Sequence, residues 1–384
     1  MTLLIDKQRL IVNPALAPTK PREADEFERR HKATDGVLTI GLINNMPDAA
    51  LKATERQFIH LLTAASGTNR IHFHCFSLPS VKRSQSAKWH VDQQYTDIAD
   101  IDRWHIDGLI VTGAEPNAAT LPEETFWQDL TEIIDWAKTN TRSTIWSCLA
   151  AHAAVLHLDG IERRRLDTKC SGIYDCFSVA NHWLTDDLPS PFRVSHSRLN
   201  ELRAQDLSTR GYQLLTHSPE GGVDIFAKQL GSQFVFFQGH PEYEAVSLER
   251  EYLRDISRFL ASERDTYPAV PAGYFDIETE ERLASFERRA RTERSPALST
   301  DLPERILRHE NATAAAAALF RNWLGYLSDD ARAALPAPGS EPTKYDHAPG
   351  LVCIEGAPSG PAEVREILEH GQLAPRRGNE TVAP

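Results

Sequence analysis

The feature that most constrains this chain is a repeated alternation of short, uniformly apolar runs with longer amphipathic ones. Val37-Leu38-Thr39-Ile40-Gly41-Leu42-Ile43, Ile71 to Phe76, Ile106 to Gly113 and Ser143 to Ser147 are rich in aliphatic and aromatic residues and bounded by turn formers. Such runs read as strands covered on both faces. Between them lie segments with a helical period: Ala49 to Ala65, with Leu51, Phe58, Leu61 and Leu62 on one side, then Phe126 to Lys138, and Ala150 to Leu158 ending at Gly160. Strands alternating with helices predict an α/β fold with a mainly parallel sheet flanked by helices on both faces.

The 384 residues divide by composition into four stretches. Residues 1–35 read as a polar leader, rich in Pro and charged residues over 14–35. The compact domain spans 36–265. Its later part holds short strands at Gly222 to Lys228 and Gln233 to Gln238, then a helix from Ser247 to Leu260. Residues 266–335 form a helical extension, with a charged run over 275–310 and a helix from Ala312 to Leu327. That helix is capped by Asn311 and carries Leu319, Trp323 and Leu327 on one face. Residues 336–384, with many Pro and Gly, read as a flexible tail in which Val352-Cys353-Ile354 offers a local contact.

Charge and cysteine usage exclude several classes. With 42 Lys and Arg against 54 Asp and Glu, the net charge is −12, which disfavours a general nucleic-acid binder. No run approaches the roughly 18 to 20 apolar residues of a membrane span. Asp6, Lys7 and Arg9 interrupt the apolar core that a signal peptide needs. A cytoplasmic protein without membrane partners is expected. Five cysteines without a CxxC pair favour neither a disulfide framework nor a thiolate zinc site. His60, His72 and His74 are read as structural, because no carboxylate or thiolate spacing completes a metal set. Neither metal nor cofactor is expected.

The most informative local pattern is Thr144-Ile145-Trp146-Ser147-Cys148-Leu149-Ala150-Ala151-His152, a strand running straight into a helix with cysteine at the junction. Such a turn exposes a nucleophile above the sheet edge. The helix N-terminus favours a thiolate, and its free N–H groups, led by that of Leu149, can hold an oxyanion. Taken alone, Cys148 is equally read as a small core residue. The second pattern is Phe234 to Tyr243, an apolar strand ending in Gly239-His240-Pro241-Glu242. A histidine at a strand's carboxyl end projects into the crevice where α/β sheets bind ligands. There His240 can exchange protons with Cys148, and Glu242 can fix its tautomer. His152, one helical turn after Cys148, is a competing base.

Cysteine at a strand–helix turn with His-Pro-Glu downstream resembles the class I glutamine amidotransferase-like fold. More closely, the chain resembles the homoserine O-succinyltransferase, or homoserine O-acyltransferase, family. The resemblance runs from about Gly36 to Leu260, with a weaker echo at Tyr274-Phe275 and Arg321 to Leu324. It is carried by Asn45-Met46-Pro47, Thr54 to Phe58, Gly108 to Ala114, Lys169 to Tyr174, His196-Ser197-Arg198, Gly239 to Tyr243 and Glu251 to Asp255. The resemblance implies acyl transfer from an acyl-CoA co-substrate to the hydroxyl of L-homoserine, an early step of methionine biosynthesis. Cys148 would carry the acyl group, His240 would act as base and Glu242 would orient it. Lys169, Ser197 and Arg254 would line the substrate site, and a homodimer is implied, with the Ala312 to Leu327 helix as a candidate contact.

Three departures from the family pattern bear on mechanism. The first loop reads Met46-Pro47-Asp48-Ala49 where a lysine pair is usual, which leaves Lys52 as a candidate substitute. His152 stands where glutamine is usual. The position linked to donor choice holds Asn117, neither the Gly of succinyl-CoA users nor the Glu of acetyl-CoA users; an amide tolerates a carboxylate, which favours succinyl. Two other readings remain open: a glutamine amidotransferase or γ-glutamyl hydrolase of the same fold, and a non-catalytic binding protein.

Overall fold

The computed structural model describes Leu3–Ile5, Leu10–Ile11, and residues 37–302 and 313–329. All lie in one compact unit. The first half alternates as the pattern predicts: β1 (Leu3–Ile5), β2 (Leu10–Ile11), β3 (Val37–Ile43), α1 (Asp48–Ala65), β4 (Arg70–Phe76), α2 (Gln85–Gln94), β5 (Gly108–Val111), α3 (Trp127–Asn140), β6 (Ser143–Ser147) and α4 (Leu149–Asp159). The second half continues with β7 (Arg164–Ser178), β8 (Phe192–Glu201), α5 (Ala204–Thr209), β9 (Gln213–Leu214), β10 (Thr216–Ser218), β11 (Gly222–Val223), β12 (Ile225–Gln229) and β13 (Gln233–Phe237). Helices α6 (Ser247–Leu260), α7 (Ile277–Glu293) and α8 (Thr313–Ser328) follow.

Among the described residues, nine strands form one sheet in the order β2-β1-β4-β3-β5-β6-β13-β12-β9. Its centre is parallel, and β13 pairs with β6 in the register Phe237↔Ser147. Side chains alternate between faces along each strand. Leu38, Ile40 and Leu42 pack with Ile145, Val235 and the apolar side of α1 in one core. Leu109, Val111, Trp146 and Phe236 pack with α3 and α4 in the other. From Leu149 to Val155 every residue of α4 is buried, so this helix is wrapped by the fold rather than lying on its surface.

The structure departs from the sequence reading in three places. The sheet begins before residue 36, because Leu3–Ile5 pairs in parallel with the edge of β4. An apolar triplet and an apolar pair are too short to reveal a period; the open edge of β4 gives β1 its partner, and β1 in turn pairs with β2. Residues 164–201 form a long antiparallel hairpin of β7 and β8, the main part of a second, four-stranded sheet. Its strands are mostly polar on one side, which hid them. Finally, the compact domain does not end near residue 265. Helix α8 returns to the parallel sheet and fills its first core with Leu319, Phe320, Trp323 and Leu327. The indole N–H of Trp323 donates to Ser143 Oγ at 3.0 Å. Gly108 permits this approach, since a Cβ there would lie 2.5 Å from Leu327 Cδ1 and 2.7 Å from the Trp323 ring. The apolar stripe read as a docking or dimer face is therefore spent within its own chain. Most of the leader, the Asn311 cap and the tail from residue 336 lie outside the described residues. No described helix is long and apolar enough to cross a membrane.

Removing the Trp323 side chain opens a cavity beneath the central strands. Trp323→Ala is expected to cost about 3–5 kcal/mol of stability, read as a lowered denaturation midpoint by circular dichroism. A loss below about 1 kcal/mol would mean that α8 is not part of the core.

Candidate active site

Parallel strands end at one edge of the sheet, and there the loops after β5, β6 and β13 surround a cavity of about 1240 Å³. Its walls include Thr112 and Gly113, then Cys148 and Leu149, then His240, Glu242 and Tyr243.

Cys148 sits between the last residue of β6 and the first of α4 with φ 53° and ψ −112°. A non-glycine residue pays steric strain in this region, and such strain concentrates at functional turns. Two bonds hold the turn: the Cys148 N–H donates to the Phe237 carbonyl at 2.8 Å, and the Cys148 carbonyl accepts the Ala151 N–H at 3.0 Å. As the first helical residue, Leu149 has an N–H without an intrahelical acceptor; it lines the cavity beside the sulfur.

His240 follows β13 by three residues. Its N–H donates to the Ser195 carbonyl at 2.7 Å, its Nδ1 lies 2.8 Å from Glu242 Oε1, and its ring stacks on Tyr243 with centroids 4.2 Å apart. The imidazole lies close enough to the Cys148 sulfur for the two to interact electrostatically. Burial by itself would depress the imidazole, but Glu242 and then the Cys148 sulfur outweigh it and hold its pKa well above the usual value. Both His240 and Glu242 are buried. Glu242 Oε2 is buried without a partner among the described residues. The chain Cys148, His240, Glu242 has the order of nucleophile, base and orienting acid.

A buried polar layer supports the His240 turn. Gly239 packs so closely that a Cβ would lie 2.5 Å from Asp224 Oδ1 and 3.1 Å from His196 Cε1. His196 Nε2 lies 3.4 Å from Asp224 Oδ1, and burial pushes the Asp224 carboxyl up to about 6. With Cys176 these two form a group of three whose ligand atoms lie within 4.8 Å of one another. All three residues are buried, away from the cavity lining.

The three residues expected to line a substrate site converge on two acids. Lys169 Nζ lies 3.3 Å from Glu251 Oε2 and 3.4 Å from Asp255 Oδ2. Ser197 donates to Glu251, and Tyr243 donates to the other Glu251 oxygen at 2.6 Å. Burial would raise the Glu251 carboxyl, but Lys169 and these hydrogen bonds hold it below the usual range. Arg254 pairs with Asp255 at 3.2 Å, as does Arg264. Arg254 thus pairs with its neighbour Asp255 rather than with Glu251, which stands three residues earlier on the same helix. Tyr243, Glu251 and Asp255 carried no role in the sequence reading, although each stands inside a matching segment. Asp255 lies four residues after Glu251, one turn along the same face of α6.

His152 also borders the cavity, and the remaining candidates lie outside its lining. His152 is buried on Gln238 Oε1 at 3.1 Å, and burial drives its pKa down to about 3. It is thus a neutral imidazole committed to a structural bond rather than a competing base. Lys52 is exposed and outside the cavity lining, so it does not replace the absent loop lysine. Asp48 instead starts α1 and accepts the Ser84 N–H at 2.8 Å, while Arg83 ties the loop together through the Asn44 and Met46 carbonyls. Asn117 is exposed and outside the lining, with its side chain donating to the Glu115 carbonyl at 3.0 Å. It is not aimed at the cavity, because Glu124 Oε1 pins its loop through the N–H groups of Asn117 and Ala118. In the segment Thr54 to Phe58, Thr54 lines the cavity, Arg56 makes two bonds to Glu244 at 3.0 and 2.9 Å, and Gln57 donates to Ser247 at 2.8 Å. His72 and His74 meet edge to face beside Trp104, and His60 is exposed beside Glu244.

Glu242→Gln removes the charge that raises His240. The His240 Cε1–H resonance is expected to titrate at lower pH in the variant than in the parent chain. An unchanged midpoint would show that Glu242 does not set the charge of His240.

Comparison with known proteins adds independent information. The family described as homoserine O-succinyltransferase matches residues 24–333. A homoserine O-succinyltransferase from Bradyrhizobium japonicum is 56% identical over 333 residues, 86% of this chain and 100% of that protein. One from Rhodopseudomonas palustris is 54% identical over the same shares. Among solved structures, a glutamine amidotransferase from Thermotoga maritima is 10% identical, covering 77% of this chain and 100% of that one at a TM-score of 0.42.

Proposed function

The chain belongs to the homoserine O-succinyltransferase family and is an acyltransferase; from that premise we propose that it moves the succinyl group of succinyl-CoA to the hydroxyl of L-homoserine through a Cys148 acyl-enzyme, an early step of methionine biosynthesis. The observation that carries this reading is the half-exposed Cys148 facing the cavity beside the buried pair His240 and Glu242. The names borne by relatives at 56% and 54% identity support succinyl as the acyl group.

The proton balance closes over two half-reactions. In the first, the Cys148 sulfur, stabilised as an anion by the imidazolium beside it, attacks the thioester carbonyl. The oxyanion forms next to the Leu149 N–H at the start of α4, where free backbone donors stabilise developing negative charge. The carbon–sulfur bond to CoA breaks, and His240 gives its proton to the departing thiolate. Cys148 is now a neutral thioester and His240 a neutral base. In the second, His240 takes the proton of the homoserine hydroxyl, whose oxygen attacks the thioester carbonyl. The bond to Cys148 breaks, and the sulfur leaves as an anion beside the restored imidazolium. Glu242 holds the imidazole through Nδ1 throughout, leaving the other nitrogen for these transfers.

The Glu251 and Asp255 cluster suits the zwitterionic end of the amino acid. Arg254 presents a planar pair of donors to a carboxylate, Lys169 adds a point charge, and Glu251 presents an anion to an ammonium. Ser197 and Tyr243 hold Glu251 in place. No step of this scheme needs a cofactor beyond the two substrates.

Thiol release from succinyl-CoA, with and without L-homoserine, tests the reading. Homoserine-dependent release is expected, with Cys148→Ala lowering it by at least about 10⁴-fold while the folded circular dichroism spectrum is kept. Turnover retained in Cys148→Ala would remove the cysteine from the mechanism. Arg254→Ala is expected to lower kcat/KM for homoserine by about 10- to 100-fold. Unchanged homoserine kinetics would overturn the role given to Arg254.

A further inference from the structure

A succinyl donor carries a carboxylate two methylenes from the carbonyl that Cys148 attacks. Once that end of the donor leaves water for the cavity, a cation without a carboxylate of its own holds it best. Most cations of the cavity are engaged. Lys169, Arg254 and Arg264 are bound to Glu251 or Asp255, and Arg258 lies 3.4 Å from Glu115. Arg198 is buried, with its donors on His196 and on the carbonyls of Asn200 and Gly221.

Two lining cations have no hydrogen-bond or ion-pair partner among the described residues, Arg163 and Arg165. They differ in placement. Arg165 is exposed on the outer part of β7, whereas Arg163 is half-buried in the segment joining α4 to β7. Arg163 is also close enough to interact electrostatically with both Cys148 and Glu124. Glu124 does not neutralise it by contact, since its Oε1 accepts the N–H groups of Asn117 and Ala118 at 2.7 and 2.8 Å.

We infer that Arg163 binds the distal carboxylate of the acyl donor and so makes this cavity selective for a dicarboxylic acyl group. The inference rests on the acyl-transfer reading above and adds to it a residue that the family resemblance did not supply. It also accounts for acyl selectivity in a chain whose Asn117 faces out of the cavity. The guanidinium supplies two parallel donors matched to a carboxylate.

The test compares Arg163→Gln, Arg163→Lys and Arg165→Gln with the parent chain. One readout is kcat/KM for succinyl-CoA against butyryl-CoA, a neutral donor of equal chain length with the same CoA moiety. The other is the rate of Cys148 alkylation by iodoacetate against iodoacetamide, which needs no turnover. Arg163→Gln is expected to lower the succinyl-to-butyryl ratio by about 10- to 100-fold and to lower the iodoacetate-to-iodoacetamide ratio, with Arg163→Lys intermediate and Arg165→Gln near the parent. The neutral arms report that the site is still folded. Equal loss in charged and neutral arms would assign Arg163 to CoA or to the sulfur and overturn the inference, as would unchanged ratios or a larger effect from Arg165→Gln. If the parent chain shows no homoserine-dependent release from succinyl-CoA, the proposed function fails. The alkylation ratio then still decides whether Arg163 attracts a carboxylate to Cys148.

Discussion

The parallel pairing of β6 with β13 is the interaction on which the site depends. Residues 148 and 240 are far apart in the chain, yet the register Ser147↔Phe237 ends both strands at the same level. The 2.8 Å bond from the Cys148 N–H to the Phe237 carbonyl extends that ladder by one step and fixes the strained turn. A slip of one residue would turn every side chain of the strand to the other face and separate sulfur from imidazole. The alternating apolar faces of both strands lock the register, because Ile145 and Val235 belong to one core while Trp146 and Phe236 belong to the other.

Around that pairing the molecule spends polar groups in layers. Closest to the sulfur are His240 and Glu242. Beneath their turn lie Gly239, Asp224 and His196, where small size and dense packing leave the loop little freedom to move. Across the cavity, α6 presents Glu251 and Asp255 one turn apart, and Lys169 and Ser197 reach them from β7 and β8. The β7–β8 hairpin thus forms one wall of the cavity. Part of its polar side lines the cavity, which is why it lacked a strand's apolar alternation.

Local pattern was enough to read the alternation of strands and helices, the strand–helix junction at Cys148, the Gly-His-Pro-Glu turn and the helices α6 and α8. Each rests on interactions within a few residues: apolar period, turn chemistry, helix ends. The resemblance added Lys169, Ser197 and Arg254, and these do gather in one cavity. What local pattern missed shares one cause. The partner of α8, the edge that β1 joins, the true partner of Arg254, the burial of His152 and the outward turn of Asn117 all depend on groups distant in the chain.

The sequence by itself therefore determined which segments become strands and helices and which residue types stand at the strand ends, since backbone and side-chain preferences act over a few residues. Only the tertiary structure decided which of the chemically capable residues work together. Charge, desolvation and hydrogen bonding act through space over a few ångströms. They left His152 neutral on Gln238, raised His240 beside Glu242 and kept Arg163 near Cys148 without a contacting partner among the described residues.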